Sequence, residues 1–286
     1  MKEVVVLSGK GGTGKTSIVG SFAALAKNKV LVDCDVDAAT LHFLLQPAIR
    51  EKQEFWSGQV AVIDEKKCTQ CGLCQEQCRF VAIKNFNVDA VSCEGCGFCS
   101  HICPAEAITV KENMAGHWFI SDTRYGPLLH ARLGIAQENS GKLVALVRQR
   151  ARELAEKQRA DYIISDGPPG IGCPVISSLS GANEALLVTE PTLSGIHDLE
   201  RVLGVCHHFG VPALVCINKY DINEDNTRQI EYYCLSQGVE VAARIPFDNI
   251  VTKAIVASLP VVEYSRNGVS HQIEALWELV SKSLAK

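Results

Sequence analysis

The sequence predicts an α/β fold: a mainly parallel sheet flanked by helices, interrupted by a small inserted domain rich in cysteine. Three observations carry this. The chain opens on an apolar run at residues 4–6, followed by a glycine loop and then by helical periodicity over residues 18–26. Further short apolar runs at residues 30–32, 161–165, 185–189, 213–217 and 240–245 alternate with helical patterns, as strands of a parallel sheet do. Between residues 56 and 112 the composition changes abruptly, and eight cysteines fall in two similar groups. The expected domains are therefore residues 1–58, an insertion at 59–112, and a second part of the host at 113–286.

The opening loop, LSGKGGTGKTS over residues 7–17, fits the order G-x-x-x-x-G-K-[ST]. Gly9, Gly11, Gly12 and Gly14 let backbone N–H groups curl around phosphate oxygens, with Thr13 between them, and the following helix N-terminus adds its positive dipole end. Lys15 is placed to lie against the β- and γ-phosphates, Thr16 to ligate Mg²⁺ through its hydroxyl, and Ser17 to open the helix. A second lysine, Lys10, sits inside the loop. The strand at residues 30–32 ends in Asp33-Cys34-Asp35-Val36-Asp37. Ligands of parallel sheets bind beyond the carboxyl ends of the strands, so these acids are placed to hold Mg²⁺ water or orient an attacking water. Asp35 is the first choice among them.

In the insertion, Cys68, Cys71, Cys74 and Cys78 read C-x2-C-x2-C-x3-C. Cys93, Cys96, Cys99 and Cys103 repeat the spacing, this time followed by Pro104. Paired C-x2-C motifs also bind zinc, but two triple runs are the mark of two [4Fe-4S] clusters. The usual exchange puts Cys68, Cys71, Cys74 and Cys103 on one cluster and Cys93, Cys96, Cys99 and Cys78 on the other. The segment resembles a bacterial-type two-cluster ferredoxin, with Arg79 where proline is common.

Beyond the insertion a strand is expected at residues 116–120, then a loop with a short helical region over residues 123–141, and an amphipathic helix at 143–159 whose arginines face solvent. Residues 161–165 form the next strand, ending in Asp166-Gly-Pro-Pro-Gly170. Asp166 suits the Mg²⁺ shell behind Thr16, and the Gly170 N–H is placed to approach a γ-phosphate. Residues 166–174 form a candidate switch containing Cys173, which is either a small packed residue or a metal-binding thiolate. Asn218 opens N-K-x-D at a strand end and is placed for a purine edge; the motif leaves ATP and GTP open. Residues 272–284 form a closing helix, on which Trp277 is expected in the core. Cys34, Cys206, Cys216 and Cys234 show no ligand spacing and read as packed residues.

Composition narrows the function classes. The net charge of −4 over 286 residues leaves no basic field for nucleic acid, and no apolar run is long enough to span a membrane. Thirteen cysteines beside a nucleotide loop point to free thiolates rather than disulfides. No signal peptide is apparent, so the expectation is a cytoplasmic protein without stable membrane insertion.

With these residues placed, the chain resembles the MinD/ParA/Mrp class of deviant phosphate-loop ATPases, nearest to the subgroup carrying an inserted two-cluster ferredoxin. The likeness rests on Lys10 to Thr16, the acids at 33–37, Asp166 to Gly170 and Asn218, and extends to stretches 124–128 and 131–135. It implies Mg-ATP rather than GTP, with Asn218 at the adenine and Asp35 orienting water. It also implies a homodimer formed on ATP binding, in which Lys10 reaches the partner's phosphates. Lys10, Lys15 and Asp35 are then the catalytic residues. ATPase action would be coupled to assembly or transfer of iron-sulfur or metal clusters on an apo-metalloprotein client, or, alternatively, to gated electron delivery to a redox partner. The related nitrogenase iron protein shares a cluster across its dimer; Cys173 lies in the segment that supplies one ligand there, and the other has no match. The late C-x2-C pair of Mrp-type carriers has no counterpart after Cys103.

Overall fold

The computed structural model describes residues 1–134, 139–266 and 268–286. In chain order the elements are β1 (Lys2–Ser8), α1 (Lys15–Leu25), β2 (Lys29–Asp33), α2 (Leu41–Leu45), β3 (Ala48–Ile63), α3 (Leu73–Glu76), β4 (Ile83–Lys84), β5 (Asn87–Val88) and α4 (Phe98–Ile102). They continue with β6 (Ile108–Thr123), β7 (Gly126–Leu133), α5 (Ser140–Gln158), β8 (Tyr162–Pro169), α6 (Cys173–Leu179), β9 (Glu184–Thr189), α7 (Leu193–His208) and β10 (Ala213–Asn218). The chain closes with α8 (Glu224–Ser236), β11 (Glu240–Ile245), α9 (Asn249–Val256), α10 (Val261–Tyr264) and α11 (Gly268–Leu284).

Two compact units result: Met1–Lys52, Trp118–Ala131 and Ser140–Lys286 form the first, Gln53–His117 and Arg132–Asn139 the second. The first unit is built on a sheet ordered β11-β10-β9-β1-β8-β2-β7-β6-β3, to which β3 and β6 contribute their residues 48–52 and 118–123. From β11 through β7 each adjacent pair is parallel. Parallel strands need covering on both faces, which is why they are continuously apolar. Val4, Val6, Leu186 and Val188 face one layer with α1 and α11, whereas Val5, Leu7, Leu187, Val215 and Ile217 face the layer of α6, α7 and α8. Trp277 belongs to the first layer, its ring 5.0 Å from Phe22 and 5.4 Å from Tyr162. That is the core role expected of it.

Two expectations are corrected. The stretch 123–141 is not a loop over the site: β6 runs to Thr123, and β7 pairs with β2 through Leu31↔Leu128 and Val32↔Leu129. Leu128, Leu129 and Ala131 are buried, and strand pairing outweighs the weak local signal. Residues 135–138 of that stretch lie outside the described residues. The arginines of α5 are not all solvated either. Arg148 is buried, donating from Nε to Glu3 Oε1 at 2.8 Å and from Nη1 to the carbonyls of Ser177 and Ser180. Arg152 adds two bonds to Glu3 Oε2 at 3.0 and 2.8 Å. The start of β1, helix α5 and the end of α6 are thus clamped by one buried carboxylate. Breaking such a pair from one side costs about 3–5 kcal/mol.

The second unit has a small apolar centre, Ala61, Cys74, Ile83 and Ile108, against which Cys78, Cys93, Cys99 and Cys103 pack. Its two halves repeat each other. Helices α3 and α4 each follow a left-handed glycine, Gly72 (φ 83°) and Gly97 (φ 74°). The Val81 N–H donates to Cys78 O at 3.0 Å, matching Glu106 N–H to Cys103 O at 3.1 Å. Asp89 N–H to Ala82 O matches Asp64 N–H to Ala107 O. Arg79 and Pro104 therefore occupy equivalent positions in equivalent turns.

Candidate functional site

The carboxyl ends of β1, β2, β8, β9 and β10 bring the residues singled out in the first unit to one edge of the sheet. The loop between β1 and α1 needs its glycines. A side chain at Gly9 would overlap Asp198 of α7, and Gly14, at φ 98°, caps α1 in the left-handed region. Lys15 is buried and donates from Nζ to Ser8 Oγ at 2.9 Å, while Ser8 Oγ donates to Lys10 O at 2.6 Å. Ser17 is buried in the first turn. Gly11 and Gly12 border open space, as backbone that must approach a ligand should.

Thr16 Oγ1 donates to Asp166 Oδ2 at 2.7 Å and lies 3.3 Å from Thr40 Oγ1. The other carboxylate oxygen, Asp166 Oδ1, is buried without a partner, and so is Thr13 Oγ1. The orphaned Asp166 oxygen beside the Thr16 hydroxyl is a donor set that a hydrated hard cation fits. Burial raises Asp166 to about 6, against the lowering influence of Lys15 and the Thr16 hydrogen bond. Asp35 is half-buried and raised by burial, with Lys15 opposing. Its Oδ1 accepts from Ala38 N–H at 3.3 Å. Asp33, which the sequence did not rank, is fully buried opposite Asp166 in the β2–β8 register; its carboxylate accepts from Asp35 and Leu41 N–H. Burial, then the Asp166 charge, raise it well above the usual carboxylate range.

Three groups expected to reach nucleotide, Gly170, Asn218 and Lys10, make contacts within the chain instead. The Gly170 N–H donates to Ser8 O at 2.9 Å, so its approach to a γ-phosphate requires that bond to open. Asn218 donates from Nδ2 to Thr13 O at 2.7 Å and accepts the Lys219 N–H at 3.0 Å, tying the strand end to the phosphate loop. Asp221 accepts the Phe247 N–H at 2.7 Å, which anchors the segment after β11. Lys10, expected to reach outward, pairs with Glu190 Oε1 at 2.6 Å. Glu190, Thr192 and Ser194 were not picked out from the sequence, because a lone acid after an apolar strand carries no motif. Cys173 is exposed at the start of α6, while Cys34, Cys206, Cys216 and Cys234 are buried. Burial pushes the Cys206 and Cys216 thiols up to about 12, which makes them inert packing groups.

In the second unit one cavity is lined by Cys68, Cys71, Cys74 and Cys103, the other by Cys78, Cys93, Cys96 and Cys99 together with Cys74. The second is the larger, about 360 Å³ against about 20 Å³, and Phe80 and Phe98 are among the residues that line it. Among the described residues no three ligand side chains converge on a point as they would around a single ion. A cubane differs from an ion in that its four thiolates stand at separate corners, so a cavity ringed by four cysteines is the form its site takes. Backbone N–H groups of Gln70 and Ala107 point at the sulfurs of Cys68 and Cys103, each at 3.4 Å.

The sequence profile of the CobQ/CobB/MinD/ParA nucleotide binding domain matches residues 4–261. The chain belongs to that family. Its members include P-loop ATPases of the MinD and ParA type, and the sheet and phosphate loop described above are those of that fold. Uncharacterized protein MJ0578 of Methanocaldococcus jannaschii is 32% identical over 279 residues, covering 96% of this chain and 95% of that one. The septum site-determining protein MinD of Thermotoga maritima is 23% identical, covering 96% and 85%. Among solved structures, the Pyrococcus horikoshii MinD complexed with Mg-ADP superposes with a TM-score of 0.60 at 18% identity, covering 98% of this chain and 96% of that one. Among the described residues no helix of this family member is long and apolar enough to cross a membrane.

Proposed function

We propose that this chain is an iron-sulfur ATPase: it binds Mg-ATP at the β1–α1 loop, pairs with a second copy on binding, and couples slow hydrolysis to clusters held by the second unit. The observation that carries the nucleotide half is the orphaned, buried Asp166 Oδ1 on the carboxylate that Thr16 binds, at the loop that holds Lys15. Lys15 would exchange Ser8 for phosphate oxygens and neutralise their charge. Thr16 and Asp166 would hold Mg²⁺, and Asp35 would orient the attacking water. The relative from Pyrococcus was solved with Mg-ADP, which supports adenine over guanine.

The two cysteine-lined cavities support two [4Fe-4S] clusters, ligated by Cys68, Cys71, Cys74 and Cys103 and by Cys78, Cys93, Cys96 and Cys99. When bound, such clusters supply one-electron carriers. Assembly or transfer to an apo-metalloprotein remains one use for the assembly. Interleaved ligation favours the other, delivery of electrons to a redox partner when ATP is bound, because neither cluster can leave without opening both halves of the unit. Anaerobic protein should carry about eight irons and a matching count of sulfide per chain. Reversible low-potential reduction without loss of iron during ATP turnover is the expected result. Fewer than about four irons in intact protein would overturn the two-cluster reading, and iron moving to an apo-acceptor on turnover would restore assembly.

A further inference from the structure

The Lys10 ammonium has three hydrogens, and the chain supplies three acceptors. Glu190 Oε1 lies at 2.6 Å, Thr192 Oγ1 at 3.0 Å and Ser194 Oγ at 3.0 Å. Glu190 and Thr192 lie in the connection between β9 and α7 and Ser194 in the first turn of α7, and this segment is held in place by further bonds. Thr192 caps α7 by accepting the Gly195 N–H at 3.0 Å, and Thr189 Oγ1 donates to Gly195 O at 3.0 Å. A side chain at Gly195 would overlap Glu190 O, so the turn has no slack. Glu190 also binds Lys219 through Oε2 at 3.0 Å, and Lys219 Nζ donates to Gly12 O at 3.2 Å. The Glu190 side chain is only 16% exposed. Burial alone would raise its pKa, but the hydrogen bonds from Lys10 and Lys219 hold it below the usual value.

We infer that Glu190, with Thr192 and Ser194, is a cradle that holds Lys10 within its own chain and thereby sets the ATP concentration and protein concentration at which two copies pair. This rests on the proposed pairing of two copies on ATP binding, and on the expectation from the family resemblance that Lys10 then reaches the partner's nucleotide. An ammonium cannot serve a full set of acceptors at home and a phosphate across the interface, so pairing must first break this cradle. Glu190 is a positioning residue: it acts on the second copy through Lys10.

The test is the self-association midpoint of the full chain with the non-hydrolysable analogue AMP-PNP, by analytical ultracentrifugation. Glu190→Gln keeps the shape and removes the charge; it should lower the midpoint about five- to tenfold, the value of a partly buried ion pair. The double variant Thr192→Ala, Ser194→Ala should shift it the same way by less. Lys219→Met separates the two partners of Glu190 and should leave the midpoint within about twofold of wild type. An unchanged or raised midpoint for a folded Glu190→Gln overturns the inference, as does a Lys219→Met shift that reproduces it. Wild-type protein that binds AMP-PNP yet stays monomeric at all concentrations overturns the dimer reading itself, which is a separate failure.

Discussion

The two units solve the problem of holding a ligand in opposite ways. At the phosphate edge every placement is made by a large sheet buried on both faces, and the lysines are already engaged: Lys15 with Ser8, Lys10 with Glu190. The cysteine-rich unit has four buried residues at its centre and brings eight thiols to two cavities. A preorganised site can bind and release without changing its fold; if the proposed clusters are present, a unit with so small a core should depend on them.

That contrast can be broken, and the largest effect should come from the weaker side. Removing iron by chelation should abolish cooperative structure in residues 53–117 while leaving the nucleotide unit folded. Hydrogen exchange by mass spectrometry would show it, and equal protection with and without iron would break the comparison. Next in size, Arg148→Ala should destabilise the first unit by about 3–5 kcal/mol, since it leaves the Glu3 carboxylate buried and short of partners. Denaturant melts followed by circular dichroism would measure it, with the iron content unmoved. Lys15→Ala should weaken ATP binding by about 1.5–3 kcal/mol, read by calorimetry, because a charged hydrogen-bond donor to phosphate is lost. Asp35→Asn keeps the shape and should leave ATP affinity within about threefold while lowering the hydrolysis rate at least about tenfold, the low end for loss of an orienting base. The smallest effect belongs to Arg79→Pro. If the halves of the cysteine unit are equivalent, it should change stability by less than about 1 kcal/mol and leave the iron count intact.

Legibility followed the range over which each residue acts. Lys15, Thr16 and the eight cysteines lie in motifs a few residues long, and each motif forms its own turn, so spacing alone was enough to find them. Asp166 and Asp35 were singled out because acids end buried strands. Glu190 is different: it meets Lys10 across about 180 positions of chain, and only because β9 lies beside β1. Arg148 was misread for the same reason. Its helix also carries the exposed Arg150, which pairs with Glu153, and nothing local distinguishes it from Arg148 and Arg152, which reach Glu3. The stretch 123–134 was missed because β7 gains its strand character from pairing with β2, not from its own alternation.

By itself, then, the sequence determined the α/β class, the phosphate loop and the paired cysteine runs, since backbone conformation and ligand spacing within a turn are local chemistry. Tertiary structure alone decided which acid faces which lysine and which arginine is buried against Glu3. Those depend on strand order and face-to-face packing, which bring together groups far apart in the chain and leave no trace in the spacing of either one.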